Sequence, residues 1–128
     1  MTPYLDTSAL VKLVVDEADS AAVRRYVHDA TALTSSALAR VELRRAVEES
    51  HRRPAEALLL SLRLVPLTDD VLDQAGALQV PEVPFLRSLD AIHLVSARLL
   101  PDVELLTYDD RMADAARALG LAVTVPRD

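Results

Sequence analysis

Short apolar runs alternate along the chain with longer stretches in which apolar residues recur every three or four positions. Tyr4-Leu5 leads into Asp6, and Leu10, Leu13 and Val14 then follow at helical spacing within Ser8 to Val15, which predicts a strand, a turn and a helix. A second helix starts at Asp19 or Ser20 and runs to about Ala30. Ala32 to Ser35 is a short strand, followed by helices from Ser36 to about Ser50 and from Arg53 to Leu62. Leu64 to Leu67 is apolar and short. Thr68 caps a helix through Leu78 that carries Asp69 and Asp70 in its first turn, where the helix dipole favours negative charge. Pro81 and Pro84 interrupt the chain before a helix from about Ser88 to Leu100. Beyond a turn at Pro101-Asp102 lie a strand from Val103 to Tyr108, a helix from Asp110 to Leu119 stopped by Gly120, and a last strand from Leu121 to Val125. Strands alternating with helices predict an α/β protein, a three-layer α/β/α sandwich whose central sheet is mainly parallel.

Composition narrows the chemistry. The chain has 128 residues, 51% of them apolar and 27% charged, the balance of one globular domain spanning residues 1–128. The absence of cysteine excludes disulfides, thiolate zinc sites, iron–sulfur clusters and cysteine nucleophiles. Gly76 and Gly120 are the only glycines and lie far apart, so no Gly-rich phosphate loop can form. Tyr4, Tyr26, Tyr108 and Phe85 are too few and too scattered for a base-stacking platform. A net charge of −6 disfavours sequence-blind electrostatic binding of nucleic acid or membrane, yet leaves room for an acidic pocket that holds a metal. The first residues lack the pattern of a leader peptide, and no apolar run approaches the length of a membrane span, so a cytoplasmic location without membrane association is expected.

In an open parallel sheet the ligand site lies beyond the carboxyl ends of the strands. Asp6 follows the first strand and Asp109 follows the fourth; each could equally cap the next helix, although Asp110 looks the better cap of the last one. Glu42 lies between Leu38 and Ala46 on the apolar stripe of its helix, where a carboxylate must snorkel out, pair with a base such as Arg45, or bind a cation. Asp90 shares a helix face with Leu94 and Ala97, though an acid in a first turn also answers the helix dipole.

Four segments carry these acids: Tyr4 to Leu13 (YLDTSALVKL), Ser36 to Leu43 (SALARVEL), Arg87 to Ala97 (RSLDAIHLVSA) and Leu106 to Met112 (LTYDDRM). In order and spacing they resemble the signature stretches of PIN-domain ribonucleases, most of all the VapC-type toxins of bacterial toxin–antitoxin pairs. The resemblance covers essentially the whole chain. It implies that Asp6, Glu42, Asp90 and Asp109 bind one or two Mg²⁺ or Mn²⁺ ions and cut RNA, leaving 5′-phosphate and 3′-hydroxyl ends, with Ser8 as a supporting hydroxyl and Asp110 as a possible alternative to its neighbour. It also implies a homodimer and a cognate VapB-type antitoxin whose tail covers an apolar groove. Elementary electrostatics agrees: carboxylates about 4 Å apart repel by roughly 4 kcal/mol at an effective dielectric of 20, so converging acids need a cation or shared protons.

Other features carry less. His93 is three residues beyond Asp90, a spacing open to metal ligation, but a satisfied buried or surface histidine is the simpler reading. Lys12, Arg40 and Arg44 are candidates for RNA phosphate contacts, against a solvated face with pairs such as Arg44–Glu48 and Arg45–Glu49. A phospho-receiver domain needs a lysine after a late strand, and Lys12 is the only lysine; a haloacid-dehalogenase-like phosphatase needs Asp-x-Asp where this chain has Asp6-Thr7-Ser8. The remaining alternative is a catalytically silent PIN-like module that binds RNA or protein.

Overall fold

A computed structural model describes residues 1–128. Strands β1 (Thr2–Leu5), β2 (Thr34–Ser36), β3 (Arg63–Val65), β4 (Val103–Leu106) and β5 (Ala122–Thr124) form one wholly parallel sheet in the order β3-β2-β1-β4-β5. The chain moves outward from β1 through β2 to β3, then returns across the sheet to β4 and β5. Strand order therefore reverses between β1 and β4, and loops leaving these two neighbours diverge to open a crevice at their carboxyl ends.

Alternation along the strands sorts their side chains into two cores. Leu5 of β1 and Leu106 of β4 point to the face covered by α1 (Thr7–Val14), α2 (Ser20–Val27), α3 (Ala39–Ala46) and α4 (Arg52–Ser61), where they pack with Leu10, Val23, Leu43 and Leu59. Their neighbours Tyr4 and Leu105 point the other way, toward Leu94, Ala97 and Met112 of α6 (Ser88–Arg98) and α7 (Asp110–Ala118). Helix α5 (Asp69–Ala77) packs on α6. This is the three-layer sandwich that the sequence pattern predicts.

Several boundaries differ from those read in sequence, for local reasons. The third helix starts at Ala39 and not Ser36, because the Ala37 amide still donates to Val65 of β3 and the Ser36 hydroxyl accepts from the Leu38 amide at 3.0 Å. It ends at Ala46; a 3₁₀ turn over Glu49–His51 intervenes before α4, whose Pro54 has no N–H and is tolerated only in a first turn. Strand β4 ends at Leu106 and not Tyr108, since the Thr107 hydroxyl accepts from the Asp109 amide at 3.1 Å and turns the chain. At the start of α2 the side chain of Asp19 makes no cap; the carboxylate of Asp128 accepts from the amides of Asp19 and Ala22 in its place. The stop at Gly120 is a Schellman motif, with φ of 82° and amides of Gly120 and Leu121 donating to Arg117 and Ala116.

Candidate functional site

Asp6 is the first residue past β1 and the N-cap of α1, 4% exposed. Its Oδ1 accepts from the Ala9 amide at 3.2 Å and from the Ser8 hydroxyl at 2.6 Å, while Oδ2 accepts from the Thr107 hydroxyl. Burial pushes its pKa above the ordinary carboxylate value, although all three donors pull the other way. Ser8 also accepts from the Tyr108 amide at 2.9 Å, so its hydroxyl ties the end of β1 to the end of β4 across the switch point.

Glu42 projects from α3 toward the same place. Its Oε1 accepts from the Thr7 hydroxyl at 2.8 Å and from His93 Nε2 at 2.7 Å. Partial burial raises its pKa, but these hydrogen bonds, together with charge interactions from His93 and Arg87, outweigh burial and hold it below the usual glutamate value. The partner left open in sequence is thus His93 and not Arg45, which is exposed. An ionised carboxylate only accepts, so the Nε2 proton of His93 faces Glu42, while Nδ1 lies in hydrogen-bond contact with the Tyr4 hydroxyl at 2.7 Å. Burial drives the Tyr4 pKa further up and keeps it a phenol. Tyr4, His93 and Glu42 form one line of hydrogen bonds, from buried to half-buried, that fixes the glutamate.

The remaining two acids share a cation. Arg87 Nε donates to Asp90 Oδ2 at 3.0 Å and its Nη2 donates to Asp109 Oδ2 at 2.9 Å. These contacts raise the guanidinium pKa, chiefly through the hydrogen bond and charge of Asp90. Asp109 is also the N-cap of α7, its Oδ1 accepting from the Met112 amide at 3.0 Å. That reverses the sequence expectation that Asp110 is the better cap: with β4 ending early, Asp109 falls at the cap position and the exposed Asp110 is the first helical residue.

Short links therefore run from Asp109 through Thr107 to Asp6, from the adjacent Thr7 to Glu42, and from Glu42 to His93 on the helix that carries Asp90. With Arg87 bridging Asp90 and Asp109, these links connect all four acids beside the carboxyl ends of β1 and β4. No three acidic or histidine side chains close on one point, because each carboxylate is turned onto a hydroxyl, an imidazole or the guanidinium. Two carboxylates drawn to one stand-in cation, with two more alongside and no thiolate, make a donor set suited to a hard divalent ion.

The basic candidates have other partners. Lys12 donates to the Ala18 carbonyl at 2.7 Å, pairs with Glu17, and lies 4.6 Å from the centre of the Tyr108 ring. Arg44 grips Glu56 on α4 through Nε and Nη2, not Glu48, and Glu49 pairs with Arg52, not Arg45. Arg40 is exposed on the same helix. Sequence reasoning missed Arg87, Thr7 and Thr107 as site residues and set His93 aside. For Arg87 and His93 a signal existed, since each is three residues from Asp90 and so shares its helix face. Nothing in linear order joins Arg87 to Asp109.

Comparison with known proteins agrees with this fold. The sequence profile of the PIN domain matches residues 4–118. Ribonuclease VapC46 of Mycobacterium tuberculosis is 50% identical over 129 residues, covering 96% of each chain. Ribonuclease VapC35 of the same organism is 43% identical with the same coverage, and Ribonuclease VapC47 is 33% identical. Among solved structures, Mycobacterium tuberculosis VapC20, described as a Sarcin-Ricin loop cleaving toxin, superposes with a TM-score of 0.71 over 89% of this chain and 95% of that one; at 18% identity it bears on the fold alone. With the profile spanning most of the chain and relatives matched nearly end to end, this protein belongs to the PIN-domain family, among its VapC-type ribonucleases.

Proposed function

We propose that the chain is a metal-dependent endoribonuclease, a growth-inhibiting toxin restrained by a cognate VapB-type antitoxin, built as one PIN domain over residues 1–128. The observation that carries this reading is the linked set of Asp6, Glu42, Asp90 and Asp109 beside the carboxyl ends of β1 and β4, two of them already bridged by a cation. The names of its relatives support ribonuclease activity. The all-oxygen donor set supports Mg²⁺ or Mn²⁺. Asp6, Glu42, Asp90 and Asp109 would hold the ion, which when bound supplies Lewis acidity toward water and a phosphodiester oxygen.

The protein's own part is positioning. Thr7, Ser8 and Thr107 each donate a hydroxyl proton to a carboxylate, which aims the lone pairs and occupies the hydroxyls, leaving water as the attacking group. Burial of Asp6 keeps that carboxylate dry and rigid. The line of hydrogen bonds from Tyr4 through His93 holds Glu42 ionised. The same family membership supports a homodimer. No helix is long and apolar enough to cross a membrane, and a cytoplasmic site of action fits an RNA substrate.

The test is cleavage of a short RNA by the purified chain with Mn²⁺ and with EDTA. Cutting that needs Mn²⁺ and is lost in Asp90→Asn supports the reading. Cutting that persists in chelator, or none under any divalent ion, overturns it in favour of another mechanism or a silent binding module.

A further inference from the structure

Arg87 holds one oxygen from each of two acids that would ligate a divalent ion. Asp109 Oδ1 is committed to capping α7, so Oδ2 is its available atom, and that atom accepts from Arg87. Asp90 is buried, and Arg87 is the only side chain hydrogen-bonded to it. The arginine spreads its fork over two acids from different elements, giving each a single contact and not the stronger two-pronged grip on one carboxylate. Its side chain is 64% exposed and makes no other hydrogen bond or aromatic contact, so little holds it there beyond charge. A divalent ion held by the same two carboxylates would sit within a few Å of the guanidinium, and their mutual repulsion drives the longer, exposed group away.

Once released, the guanidinium stays tethered at the rim by residue 87, at the start of α6. Two of the other basic candidates are already engaged, Lys12 with Ala18 and Glu17 and Arg44 with Glu56, while Arg40 is exposed and bridges no acid of the site. A protein of net charge −6 needs a local positive group to admit a polyanion. We propose that Arg87 is a displaceable internal counter-ion: it bridges Asp90 and Asp109 in the metal-free chain, yields them to the divalent ion, and then binds a phosphate of the RNA beside the reacting one. This role rests on the nuclease reading above. It couples loading of the ion to creation of the phosphate contact, so an unloaded site neither wastes its acids on repulsion nor attracts substrate.

Mn²⁺ binding to the full-length protein by electron paramagnetic resonance, with RNA cleavage kinetics at saturating Mn²⁺, tests the idea on wild type, Arg87→Gln and Arg87→Lys. Removing the competing charge should tighten Mn²⁺ binding about tenfold in Arg87→Gln. A merely structural role would weaken it. In the same variant KM for RNA should rise about tenfold while kcat changes less than about threefold. Arg87→Lys, which keeps the charge but loses the fork, should lie between on both readouts. If wild type binds Mn²⁺ and cuts RNA but Arg87→Gln binds Mn²⁺ no tighter, or its KM is unchanged, the role assigned to Arg87 falls and the nuclease reading stands. If wild type binds no Mn²⁺, both fall.

Discussion

Replacing Asp6 by Asn should make the metal-free protein more stable and the Mn²⁺-loaded protein comparatively less so. The geometry shows why the swap is tolerated. An amide oxygen in place of Oδ1 keeps the bonds from Ser8 and the Ala9 amide. An amide nitrogen in place of Oδ2 turns the Thr107 hydroxyl from donor to acceptor; that oxygen already accepts from the Asp109 amide and has a second lone pair, while its proton can swing to Ser8 Oγ, 3.5 Å away. One amide proton then faces Thr107 and the other has no acceptor, a cost set against the loss of a buried charge whose burial outweighs its hydrogen bonds, as the raised pKa shows. Relief of a functional strain of this kind is commonly worth about 1 kcal/mol, or roughly 3–5 °C in Tm for a chain of this size. The pH dependence follows in sign. Because the folded pKa lies above the unfolded one, wild type loses stability as pH rises from about 4 through the folded value and is level beyond it; Asn does not titrate, so the gap opens over that interval and closes below it. At about 100 times its Kd, Mn²⁺ adds roughly 2.7 kcal/mol to whatever binds it, enough to reverse the order of melting. Calorimetric melts of both proteins in EDTA and in Mn²⁺, from pH 4 to 8, check each step. A metal-free Asp6→Asn protein that melts below wild type at neutral pH, or one that gains as much from Mn²⁺, would refute the reasoning.

Glu42→Gln keeps the size and hydrogen-bonding reach of the side chain, so it should cut kcat by about two orders of magnitude or more while leaving stability within about 1 kcal/mol, measured by cleavage kinetics and urea titration. His93→Leu removes the hydrogen-bond partner of Tyr4 and a donor to Glu42 and should cost about 2 kcal/mol; adding Tyr4→Phe should recover part of it, a coupling that a double-mutant cycle reads directly. Asp109→Asn should lose cleavage by about 100-fold yet keep its cap, because Asn caps nearly as well as Asp, whereas the exposed Asp110→Asn should change neither rate nor Tm appreciably, both by roughly 0.5 kcal/mol or less in stability.

The alternation of short apolar runs with helical periodicity was enough to predict the α/β sandwich, since burial of a parallel sheet on both faces leaves its mark on every strand and helix. The four acids were legible for a different reason: each sits in a short segment of distinctive composition, and an acid such as Glu42 within an apolar stripe is costly unless something holds it. Which atoms those acids hold was not legible. Asp109 became the cap because β4 pairs with β1 only as far as Leu106 opposite Leu5, and Thr107 then turns the chain, an outcome of strand register and not of local propensity. Glu42 met His93, and Asp109 met Arg87, across 51 and 22 residues, because the reversal of strand order sets the ends of β1 and β4 side by side and draws α3 and α6 to the crevice between them. Periodicity records only whether a position faces the core or the solvent. Side-chain hydrogen bonds act over about 3 Å, and groups distant in sequence reach that range only once the sheet order is established.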